Sequence, residues 1–236
     1  MLGVLGGMGP AATVDFLAKL VALTPARRDQ EHLPVLAGLL PQVPDRSAAI
    51  LGQGPSPLPA LRHNLELLLR GGAQAVAIPC NSSHHWHEAL QAECPVPILH
   101  IAQATLTALA DTDGPVLVLA TRGCLQSGFY QRHLEARGLA WRIPDAEGQA
   151  RVDQVIALVK GGDAPAAARL LDEWWQGMAG QVGSVIMGCT EIPLAATRVP
   201  APPFRLVDSN LELARASVAH GLLQGWLSPA GAAAHG

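Results

Sequence analysis

Residues 73–84 read A-Q-A-V-A-I-P-C-N-S-S-H, and residues 182–191 read V-G-S-V-I-M-G-C-T-E. Each is a short apolar run ending in one small or rigid residue, then a cysteine, then a side chain able to cap a helix. Apolar runs of this length bounded by turn residues read as strands buried on both faces, the pattern of a parallel sheet. Asn81 and Thr190 suit a helix start, where a side-chain oxygen satisfies a free backbone amide. The pattern therefore places Cys80 and Cys189 at the carboxyl ends of two central parallel strands, where open α/β sheets bind their ligands. Two thiols in matched positions of two half-domains are expected to face one another across a cleft.

The segments ahead of the cysteine strands also repeat. L-G-V-L-G-G-M-G-P at 2–10 is a strand running into a glycine turn, with Pro10 suited to the first turn of a helix over 11–23. V-L-V-L-A-T-R-G at 116–123 follows the same order of strand, small residue and glycine turn. Gly6, Gly7 and Gly9 either let backbone amides approach an anion or only make a tight turn, since G-G-x-G does not match G-x-G-x-x-G. Recurrence of both glycine turns and both cysteines in register is an internal repeat. Further strands are expected at 34–41, 95–101, 139–143 and 203–209. Helices are expected at 58–70, after Cys80, from 101 through Ala110, at 150–160, 166–176 and 210–227, ahead of a frayed tail at 230–236. In the helix at 11–23, Val14, Leu17, Leu20 and Val21 recur at helical spacing. G-Q-G-P-S-P-L-P at 52–59 reads as a linker or lid.

The chain has 236 residues, 49% apolar and 15% charged, with a net charge of −3. That suits a well-buried α/β protein and gives no electrostatic case for nucleic acid or an anionic membrane. No apolar run reaches the roughly 18 residues that span a bilayer, and the N-terminus lacks a basic leader and cleavage site. Four cysteines without a C-x-x-C point to reduced thiols in the cytoplasm. Cys94, in a Cys-Pro turn, reads as inert filler, and Cys124 has no counterpart in the first half. His84, His85 and His87 follow no zinc spacing, so no metal is expected. His84 lies within a turn of Cys80 and is placed to tune the thiol, bind substrate or pack. Arg46, just past a strand's carboxyl end, is either a carboxylate clamp or part of a solvated loop.

Two facing thiols suit chemistry that needs a base and an acid on opposite faces of one carbon. Inverting a stereocentre beside a carboxylate removes a proton from one side and delivers one to the other. A cysteine titrates near pH ~8.5 and moves down at a helix N-terminus, where both are expected. The barrier lies in the carbanion, which backbone amides of the strand ends and glycine turns would stabilise. No cofactor is required.

G-G-M-G-P, R-D-Q-E-H, P-D-R, P-C-N-S-S-H, S-G-F-Y, V-K-G-G-D and G-C-T-E, in this order over most of the chain, resemble the aspartate/glutamate racemase superfamily, specifically its cofactor-independent aspartate racemase branch. The resemblance implies two pseudo-symmetric Rossmann-like α/β domains with parallel sheets, the active site between them, and a homodimer. The domains would be 1–104 plus 209–236, and 105–208. Cys80 and Cys189 would be the acid/base pair, each serving one enantiomer. Asn81, Ser82 and Thr190 would hold the α-carboxylate or α-amino group, with Ser82 standing where the family usually has Thr, and Thr121 would contact substrate from the second glycine turn. Arg46 and Lys160 would meet a side-chain carboxylate, which favours aspartate, then glutamate. Met8, Gly9, Ser83 and Glu191 complete the implied substrate-binding set. Broad-specificity racemisation remains open. So do isomerisation or decarboxylation of a small dicarboxylate with Cys80 as nucleophile, amino-acid binding without catalysis, and two merely buried cysteines.

Overall fold

The computed structural model describes residues 1–109, 114–178 and 180–227. The end of the helix expected through Ala110 and the tail at 230–236 lie outside them. The first strand, β1 (Leu2–Gly6), is buried at every residue, so it takes an inner place in a parallel sheet. β2 (Val35–Leu39) pairs on one side of it, Leu2 opposite Val35. On the other side lies β3 (Ala75–Ala77), Val4 opposite Ala77, and then β4 (Ile98–Leu99). The second half builds the same arrangement from β5 (Val116–Leu119), β6 (Trp141–Arg142), β7 (Ser184–Met187) and β8 (Arg205–Asp208). The sheet orders are β2-β1-β3-β4 and β6-β5-β7-β8. This is the expected α/β fold of two matched halves, with the two cysteine strands third in each.

In the first half, the strands are joined by α1 (Pro10–Leu23), α2 (Arg46–Ile50), α3 (Leu58–Arg70), a short 3₁₀ turn at Ser82–Trp86, α4 (His87–Gln91) and α5 (Ile101–Thr107). The second half supplies α6 (Arg122–Gln126), α7 (Phe129–Glu135), α8 (Ala146–Lys160), α9 (Ala164–Gln176), α10 (Ile192–Ala196) and α11 (Ser209–Leu223). Proline shortens two expected strands. Pro79 cannot donate to a ladder, so β3 stops at Ala77 with Cys80 beyond it, and Pro95 and Pro97 leave β4 only two paired residues. The stretch expected as one strand over 95–101 instead turns helical at Ile101, capped by His100.

The buried face of α1 differs from the apolar spacing in its sequence. Ala12, Thr13, Phe16 and Leu20 face the core, while Val14 and Val21 are 59% and 60% exposed. The glycine turn aims the helix, and Thr13 is turned inward because its hydroxyl accepts from Gly7 N at 2.9 Å and donates to Gly9 O at 3.0 Å. One core cluster joins the halves: Leu2, Val4, Phe16 and Leu213 pack with Val116, Val118, Phe129, Tyr130, Ile186 and Val207. α11 packs on α1 and α5. Among the described residues no helix is long and apolar enough to cross a membrane.

Phe16→Ala should cost about 3–5 kcal/mol in denaturant unfolding. A loss well under ~1 kcal/mol would mean that this face of α1 is not packed on the sheet.

Candidate active site

The two half-sites grow from the same local geometry. After β1 the chain must turn sharply: Gly7 has φ +100°, and a Cβ at Gly6 would sit 2.3 Å from Thr13 Cγ2. The Gly7 amide is committed to Thr13, so this turn does not offer it to an anion. Met8 follows and faces a small cavity between the carboxyl ends of the two sheets. Cys80, Asn81 and Ser82 reach the same cavity from beyond β3, and Gly188, Cys189, Thr190 and Glu191 from beyond β7. Thr121 enters from the end of β5, Lys160 from the last residue of α8, and Asp45, Arg46 and Ser47 from the start of α2.

Of the residues expected at the site, Gly9 and Ser83 stand behind the cavity wall. A Cβ at Gly9 would lie 3.2 Å from Glu191 Oε1, and Ser83, fully buried, donates to Met8 Sδ at 3.3 Å. Asp45, Ser47 and Gly188 line the cavity without having been singled out. Asp45 was readable, since its carboxylate caps α2 by accepting from Ala48 N at 2.7 Å. Ser47 was not, because its Oγ accepts from Gly123 N, 76 residues away, at 2.9 Å.

The capping roles expected of the residues after the cysteines are not the ones adopted. Asn81 spends its amide across the molecule: Tyr130 Oη donates to its Oδ1 at 2.5 Å, and its Nδ2 donates to Ser209 Oγ at 3.0 Å. Glu191, rather than Thr190, holds the cap position of α10. Ser82 Oγ lies 3.0 Å from Thr121 Oγ1, so the half-sites touch. Arg46 is partly committed. Its Nη1 donates to Val43 O at 3.2 Å and Pro44 O at 3.1 Å, while its buried Nε has no partner among the described residues. Lys160 joins none of the ion pairs among the described residues.

All four cysteines are buried free thiols. Cys189 donates to Glu191 Oε2 at 3.0 Å. Burial, and then the Glu191 charge, push its thiol well above the ordinary range, with Lys160 pulling the other way. This is the reverse of the lowering expected at a helix N-terminus: α10 begins three residues on, and burial is the largest influence on the thiol. Burial pushes Cys124 up to about 12, with Cys80 adding to it, and also raises Cys94.

His84 takes the packing role among its three readings. Its Nδ1 lies 2.9 Å from Cys80 O, and Ile101 N donates to its Nε2 at 3.2 Å, so the proton sits on Nδ1. Burial lowers it to about 4, keeping it neutral. It pins the carbonyl of Cys80 to the start of α5. His84 and His87 stack at 5.7 Å, and no group of three metal donors occurs among the described residues.

A family model described as Asp/Glu/Hydantoin racemase matches residues 5–217. The chain is 27% identical over 228 residues to the broad specificity amino-acid racemase RacX of Bacillus subtilis (strain 168), covering 92% of this chain and 96% of that protein. Picrophilus torridus aspartate racemase is similar in structure, with a TM-score of 0.83 and 28% identity over 93% of each chain. Glutamate racemase from Thermus thermophilus shares the fold at a TM-score of 0.67 and 24% identity, over 97% of this chain and 82% of that one.

The neutral His84 makes stability depend on acid. Its value falls from 6.5 to about 4 on folding, so the unfolded chain binds the proton first as pH drops. Its contribution is complete above 6.5 and shrinks towards 4, by about 3 kcal/mol for a shift of this size. Urea unfolding across that range should show the decline, and His84→Gln should make it shallower; an unchanged slope would show that His84 is not the group taking up the proton.

Proposed function

The chain belongs to the Asp/Glu/Hydantoin racemase family, and on that premise we propose that it interconverts the enantiomers of a small amino acid, aspartate first and glutamate second, by a two-base mechanism that needs no cofactor. The proposal rests on one observation: Cys80 and Cys189, each beyond the third strand of its own sheet, line the same cavity. A thiolate on one side takes the α-proton, leaving its electron pair on the carbon. The thiol on the other side then delivers its proton to that carbanion, and the configuration inverts.

The two cysteines start from different states in this scheme. Cys189 holds its proton against the Glu191 carboxylate in surroundings that disfavour a second negative charge. It therefore serves as the acid in the direction where Cys80 takes the α-proton. Asn81, Ser82 and Thr190, which line the cavity, would hold the α-carboxylate or α-amino group, and Thr121, beside Ser82, would contact substrate from the other half. The Arg46 Nε and the Lys160 ammonium would receive a side-chain carboxylate, a charge-assisted contact of the stronger kind.

One observation favours a broader substrate range. Arg46 already gives Nη1 to two backbone carbonyls, so fewer of its donors are free for a two-pronged grip on an acidic partner, and the chain is similar to a broad specificity racemase. We further propose that the protein works in the cytoplasm as a homodimer. Sedimentation should then give twice the chain mass, and a single-chain mass would exclude the dimer.

Incubating the purified protein with L-aspartate in deuterated water, without added cofactor, should yield D-aspartate and α-deuterium together. Cys80→Ser and Cys189→Ser should each abolish inversion. Arg46→Ala should weaken aspartate and glutamate far more than neutral amino acids; equal losses would remove Arg46 from substrate recognition. Absence of exchange and inversion across acidic and neutral amino acids would overturn the racemase reading.

A further inference from the structure

Tyr130 takes part in no step above, yet it touches the residue beside each cysteine. It lies on α7 and is 1% exposed. Its hydroxyl donates to Asn81 Oδ1 at 2.5 Å, and Asn81 directly follows Cys80. One edge of its ring packs on Gly188, which directly precedes Cys189: a Cβ at Gly188 would stand 2.9 Å from Tyr130 Cε2. A single rigid ring therefore bridges the flank of one thiol and the flank of the other.

A second path closes the same circuit. Asn81 Nδ2 donates to Ser209 Oγ at 3.0 Å, and Ser209 Oγ donates to Met187 O at 2.8 Å, the carbonyl one residue before Gly188. Thr105 sends its hydroxyl proton to Ile101 O at 2.7 Å and lies 3.4 Å from Tyr130 Oη. Asn81 Oδ1 can only accept and stands at the shorter distance, 2.5 Å, so it takes the phenol proton. Burial keeps that phenol protonated. Phe129 packs edge-on at 5.1 Å and limits movement of the ring.

Resting on the two-base reading above, we propose that Tyr130 is a positioning residue that sets the separation of Cys80 and Cys189 across the substrate carbon. Two-sided proton transfer requires both sulfurs at reacting distance from one atom, and a misplacement of about 1 Å can cost about 10²-fold in rate. A tyrosine suits this task because its ring has a fixed length and its only polar atom is satisfied at the far end. Gly188 is part of the device, since any side chain there would displace the ring.

Tyr130→Phe keeps the ring and removes the hydroxyl. In that variant, kcat for racemisation should fall by about 10-fold or more in both directions, with KM changed by less than about twofold. α-Deuterium should then enter recovered substrate faster than inversion occurs, because the first proton transfer survives better than delivery from the opposite thiol. Gly188→Ala, which shifts the ring while keeping its hydroxyl, should raise the same ratio of exchange to inversion. A readout independent of activity is cross-linking of Cys80 to Cys189 by bifunctional alkylating reagents of graded length, followed by peptide mass spectrometry. The unaltered protein should show a sharp optimum of length and Tyr130→Phe a broad one. An unchanged optimum overturns the proposal, as does a fall in kcat that matches loss of folded protein with an unchanged ratio. Failure of the racemase reading appears separately, as absence of exchange in the unaltered protein.

Discussion

Each sheet reverses its winding between its first and third strands in chain order. In β2-β1-β3-β4 the chain leaves β1 for one side and later returns to build the other, and β6-β5-β7-β8 does the same. At such a reversal the connections from neighbouring strands part in opposite directions and leave a crevice at the carboxyl ends. The glycine turn after β1 and Cys80 after β3 therefore sit side by side, as do Thr121 after β5 and Cys189 after β7. When two such edges are set against one another, both thiols meet one cavity.

What keeps the crevices opposed is a shared interior. Apolar side chains from both sheets form one cluster, so the halves cannot separate without exposing it to water. Above that cluster the contacts become polar and few: Ser47 with Gly123, Ser82 with Thr121, Tyr130 with Asn81. Buried polar groups without partners are costly, so each of these bonds holds a definite geometry rather than a range of them. Asn81 illustrates the consequence. Its side-chain amide joins the halves through Tyr130 and Ser209 while the residue lines the cavity.

The surroundings of the two cysteines are unequal despite the repeat. Cys80 has its carbonyl held by a neutral, buried His84. Cys189 has its thiol held by Glu191. A pseudo-symmetric frame thus carries unequal hydrogen-bond surroundings at its two cysteines.

The apolar runs ahead of Cys80 and Cys189, and the glycine turns that precede them, determined by themselves the α/β class, the repeat and the place of both cysteines. Those features depend on near neighbours: a strand's periodicity, a glycine's freedom, a proline's missing donor. Whereas the short helix that Asp45 caps was not expected, Arg46 was legible from its place just past a strand's carboxyl end. The inward face of α1 was not, because Thr13 is buried through its bonds to the glycine turn and Val14 is left outside. Nor was the raised Cys189, whose burial and Glu191 neighbour depend on how the chain packs around it. Tyr130, Ser209 and Ser47 acquire their roles from partners 49, 128 and 76 residues distant. Contacts at that range follow from how the two halves dock. Docking is decided by the packing of the common core, and no local pattern in the chain encodes it.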